Sequence, residues 1–150
     1  MNQLLFRKND GGRADAGYKG KRVADCTPRA IAIATGMGYR ETRAILDELN
    51  AEMTGGLESS TQNGTPSPVS HRYLTDEGWT LTVTRNEKKY LNDVPQDRIV
   101  IAVLSRHVVT VIHGTVHDTW DSRVSRKTRN GSPRLLGYYS QRRGSYGHWR

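Results

Sequence analysis

The chain has 150 residues, 35% of them hydrophobic and 25% charged, with a net charge of +8. That is the size of one domain, long enough to bury a core without disulfide or metal staples and too apolar for a disordered chain. No stretch approaches the roughly 20 apolar residues of a membrane helix, MNQLLFRKND has no signal-peptide core, and a single cysteine cannot form an internal disulfide. The expectation is a soluble protein of a reducing, cytoplasmic compartment. Residues 122–150 hold eight of the 23 Lys and Arg and no Asp or Glu, which leaves 15 basic against 15 acidic residues in 1–121. The pattern suggests a neutral core over 1–121 followed by a basic tail.

Residues 1–24 are rich in Gly, Arg and Lys without apolar periodicity, and read as an extended lead-in. CTPRAIAIAT, with Pro28 suited to a first helical turn and Gly36 and Gly38 beyond its end, predicts a helix that begins at Cys26. Tyr39 to Met53 repeats Ile45, Leu46, Leu49 and Met53 at helical spacing. The polar stretch 54–66 carries loop breakers. A short helix follows over Pro68 to Glu77, with Val69, Tyr73 and Leu74 on its buried side.

Trp79 to Thr84 alternates apolar and polar residues as a strand does. Residues 85–97 read as a polar connection, and the β-branched run Ile99 to Leu104 reads as a central strand. HVVTVI, His113-Gly114 and TVHDTW then predict a β-hairpin with a two-residue turn. One more strand around Leu135 to Tyr139 is compatible with the tail. Helices first and an antiparallel sheet afterwards make an α+β pattern.

A cysteine attacks as its thiolate, which a helix N-terminus and a neighbouring histidine both favour. The hairpin supplies the histidine. With the turn at 113–114, Val111 faces Val116, Val109 faces Asp118 and His107 faces Trp120. His107, Asp118 and Trp120 therefore share one face, and Asp118 lies diagonal to His107, within reach of its ring. That is the geometry of a base and the group that orients it. Asp121 falls on the other face of a regular strand and is the alternative third residue, while Trp120 is a candidate cleft wall.

DCTPRAIAIATG and RHVVTVIHGTVHDTW together resemble the nucleophile helix and the base and third-residue strands of the papain-like cysteine peptidases. The hairpin is similar to that of the NlpC/P60 branch, and the intervening helices to the C39-like branch. The pattern also resembles small phage-encoded proteins, which implies a host-cytoplasm setting. The resemblance implies a helical part packed on a C-terminal antiparallel sheet. It also implies a Cys26–His107–Asp118 triad, an acyl-enzyme intermediate, a protein or peptide substrate, and no metal or cofactor.

Papain and C39 members place a Gln before the Cys as an oxyanion donor. GYKGKRVAD holds none, which leaves the Cys26 backbone N–H together with Tyr18, Lys19 or Lys21 as candidates. The alternative to an enzyme is an inactive scaffold of the same fold. Such a scaffold would bind nucleic acid or an acidic protein through the basic tail. A metal site from His107, His113, His117 and Asp118 conflicts with strand parity, and His71 reads as a surface residue.

Overall fold

The computed structural model describes residues 3–18, 25–55 and 64–141. Among these residues three α-helices, α1 (Cys26–Thr35), α2 (Tyr39–Met53) and α3 (Ser67–Asp76), accompany six strands. The strands are β1 (Leu5–Lys8), β2 (Trp79–Val83), β3 (Ile99–Leu104), β4 (His107–Ile112), β5 (Thr115–Asp118) and β6 (Leu135–Gln141). They form one sheet in the order β1-β5-β4-β3-β6-β2. All neighbours are antiparallel except β1, which runs parallel to β5. The architecture is α+β.

The strand IVIAVL is buried on both faces, and its residues divide two packed layers. Ile101 joins Ala30, Ile31, Leu46, Leu74 and Tyr139 in the layer between helices and sheet. Val100, Ala102 and Leu104 join Val109, Val111, Val116 and Leu135 on the opposite face. Burying each of the Val, Leu and Ile side chains favours folding by roughly 1.5–3 kcal/mol. Leu91 and Val94 cover that second face, so the segment expected to be a polar connection contributes part of the core.

The lead-in also departs from the sequence reading. Leu5–Lys8 is a strand, although the lead-in shows no pattern. Only Phe6 packs on the core while Leu5, Arg7 and Lys8 are exposed, so an edge strand four residues long has little apolar pattern to display. The further strand considered around Leu135 to Tyr139 is present as β6, and it lies inside the sheet between β3 and β2, so the sheet continues well beyond residue 121. On α2 the buried positions are Tyr39, Thr42, Arg43, Leu46 and Asn50, and Met53 is exposed. Helices α1 and α2 keep their expected limits, and α3 lies one residue earlier than expected, at Ser67–Asp76. Gly36 ends α1 in the left-handed region at φ 76°, its N–H bonded to the Ala32 carbonyl.

Candidate active site

Three element ends meet at one corner of the sheet. Cys26 is the first residue of α1, His107 the first of β4 and Asp118 the last of β5. The helix is fastened across β4 by the buried Thr110 hydroxyl, which donates to the Ala30 carbonyl at 2.6 Å. The tight turn at His113 and Gly114, both with positive φ, sets the β4–β5 register. Ile112 pairs with Thr115, Val111 with Val116 and Thr110 with His117, as expected. The ladder stops there. The expected pairs Val109–Asp118 and His107–Trp120 do not form, and the strand ends part. Into that opening His107 Nε2 and Asp118 Oδ2 converge at 2.6 Å. Trp120 leaves the strand, 54% exposed, with its ring centroid 5.1 Å from that of His107.

The electrostatics follow from this packing. Burial pushes the Cys26 thiol up, but hydrogen bonding to the His107 ring and to the Val108 backbone, together with the His107 charge, pulls it below its ordinary value. Burial opposes the charged form of His107 too. Its hydrogen bonds to Asp118 and Cys26, and their charges, outweigh this and raise it to about 9. Asp118 is likewise lowered against burial, through His107 and the Thr119 N–H, which donates to Oδ1 at 2.7 Å. With Nε2 committed to Asp118, Nδ1 is the ring nitrogen left for the thiol. Both shifts favour a thiolate beside an imidazolium over the neutral pair.

Beneath this trio lies an ionic network that sequence reasoning missed. Arg29, on α1, donates Nη1 to Asp25 at 2.6 Å and Nη2 to Asp118 at 3.1 Å. Asp25, 1% exposed, also accepts from Arg13 at 3.2 Å and from the Tyr39 hydroxyl at 2.8 Å. Arg43 donates to that hydroxyl at 3.3 Å. Burial, then the bond to Asp25, holds the Tyr39 phenol at about 12. The i,i+4 spacing of Asp25 and Arg29 is the one sequence signal for this network. On an isolated helix it reads as an ordinary surface pair.

Asp25 stands at the N-cap position of α1 but makes no capping bond. The Arg29 N–H opens the helical ladder by bonding to the Asp25 carbonyl, and Pro28 has no N–H. The N–H groups of Cys26 and Thr27 therefore lie outside the intrahelical ladder, next to the thiol.

Asp121 accepts from Arg123 Nε at 2.8 Å and Nη2 at 2.7 Å, a pair away from His107. Tyr18 packs against Tyr39 with the rings tilted by 57° and their centroids 5.2 Å apart, and lies under the Arg43 guanidinium. Lys19 and Lys21 lie outside the described residues. His113 occupies the turn. His117 accepts from the Asn9 amide, and burial and the Arg7 charge hold it below its ordinary value. His71 is exposed, yet its Nδ1 lies 2.9 Å from the Tyr139 hydroxyl, a contact across α3 and β6 that sequence could not reveal.

A cavity of about 260 Å³ opens beside the thiol. Ile31, Leu74, Ile101, Val103, Val108 and Tyr139 supply its apolar lining, with Ser67, Ser70 and Arg106 among the polar residues. No family model, curated protein or solved structure matches this chain. The case for function therefore rests on the geometry. No helix among the described residues is long and apolar enough to cross a membrane.

Proposed function

We propose that this chain is a cysteine hydrolase of the thiol-peptidase or amidase type, built on a papain-like plan and acting on a protein or peptide. The observation that carries this reading is the His107 ring paired with the Asp118 carboxylate at 2.6 Å, with His107 and the Cys26 thiol lining one cavity. The Cys26 thiolate attacks an acyl carbonyl and forms the C–S bond. The oxyanion of the tetrahedral intermediate lies against the first-turn N–H groups of α1. His107 then passes its proton to the leaving amine, and the C–N bond breaks to give a thioester. Water, deprotonated by His107, cleaves the thioester and frees the thiol. Asp118 keeps the ring oriented and stabilises its cationic form. An acyl segment with an apolar side chain fits the cavity beside the thiol.

The test is labelling and turnover. Cys26 should react with iodoacetamide at mildly acidic pH far faster than free cysteine does. A peptide vinyl sulfone should give an adduct on Cys26 that is absent in Cys26→Ala and strongly reduced in His107→Ala. A thiol no faster than free cysteine, with no adduct from a diverse probe set, would overturn the proposal.

A further inference from the structure

Arg29 sits on the same helix as the thiol, and its side chain is only 7% exposed. Its guanidinium spans two carboxylates, one nitrogen on each. One of them, Asp25, is itself fixed by Arg13 and Tyr39, so that end of the bridge is anchored. At the other end, Oδ1 of Asp118 receives Arg29 Nη2 and the Thr119 N–H, which leaves Oδ2 for His107. A carboxylate is planar and turns about one terminal torsion, so holding one oxygen aims the other.

We propose that Arg29 is a positioning residue of this site. Its bridge from Asp25 to Asp118 aims the Asp118 carboxylate at His107, and Asp25 anchors the bridge. The inference rests on the reading of Cys26, His107 and Asp118 as a catalytic trio, and it assigns Arg29 and Asp25 a role in that trio rather than in packing alone. Two simpler roles predict different behaviour. A brace for α1 would alter melting and leave the His107 ring undisturbed. A cation acting only through space repels the imidazolium, so its removal would raise the His107 titration midpoint. An aimed carboxylate alone predicts that the midpoint falls.

The groups that face the His107 ring are Cys26 from α1, Asp118 from β5 and the uncharged Trp120 ring. Arg106 precedes it in the turn. The experiment is an NMR titration of the His107 ring, assigned by its absence in His107→Gln, with melting temperature measured alongside. Arg29→Met should lower the midpoint from about 9 by about one to three pH units. Arg29→Lys should recover part of the shift, because one ammonium cannot span both carboxylates as the fork does. Asp25→Asn should give a smaller fall in the same direction.

In an Asp118→Asn background, Arg29→Met should add no further shift, since the two act through one contact. An unchanged or raised midpoint in Arg29→Met overturns the assignment. If that variant does not fold, the same result in Asp25→Asn overturns it. None of these readouts needs turnover. A wild-type His107 that titrates at its ordinary value would instead sink the catalytic reading itself, so the two failures are distinct.

Discussion

Replacing Asp118 by Asn removes a buried charge while keeping the shape of the side chain and an oxygen that can still accept from His107. His107 is raised from 6.5 to about 9, and each pH unit corresponds to about 1.4 kcal/mol, so something on the order of 3 kcal/mol holds the proton on the ring. The ring is 14% exposed, so solvent screening is slight. Asp118 is the larger favourable contributor, ahead of Cys26. Assigning it about 2 kcal/mol, its loss moves the balance from thiolate–imidazolium toward thiol–imidazole by roughly 30-fold.

The assay is the rate of Cys26 alkylation by iodoacetamide from mildly acidic to alkaline pH. In Asp118→Asn the rate near neutral pH should fall by roughly tenfold or more, recovering only as an ordinary thiol ionises near ~8.5. Asp121→Asn serves as the control, because its carboxylate pairs with Arg123 rather than with the ring. A wild-type rate profile in Asp118→Asn, or an equal loss in Asp121→Asn, would refute the electrostatic argument.

Three further outcomes are expected. In the wild type, the raised His107 stabilises the fold fully below pH 6.5 and loses that contribution as pH rises toward about 9. The lowered Cys26 contributes in the opposite direction, gaining as pH rises to 9.0. Removing the thiol in Cys26→Ala should therefore leave stability that peaks below pH 6.5 and declines with rising pH; a flat melting profile there would contradict the linkage. Thr110→Val removes the hydroxyl bond to the Ala30 carbonyl and leaves that carbonyl its place in the helical ladder of α1. It should cost about 0.5–1.5 kcal/mol, readable as a melting temperature a few degrees lower, and an unchanged temperature would mean the hydroxyl does not fasten α1. Truncation after Asp121 removes β6 and leaves β2 without its strand neighbour. Cooperative melting should vanish, and its survival would show that β6 is dispensable.

The local elements were legible because each carries its own periodic or turn signal. The helix that starts at Cys26, the 15-residue α2 and the His113-Gly114 hairpin all follow from apolar spacing, Pro28, Gly36 and the two-residue turn. Those signals also put His107 and Asp118 on one face, because strand parity is a local property of the chain. Only the folded chain decided what local patterns do not encode. It set β1 parallel to β5 and inserted β6 between β3 and β2, pairings made across long separations in sequence. It ended the β4–β5 ladder at Thr110 and His117 and brought Asp118, not Asp121, onto His107. It also brought Arg29 of α1 onto Asp118 of β5, 89 residues away. An arginine reads as a solvated charge until packing removes the water from around it. Once Asp25 and Asp118 flank its guanidinium in a buried corner, the same residue becomes the link between α1 and β5.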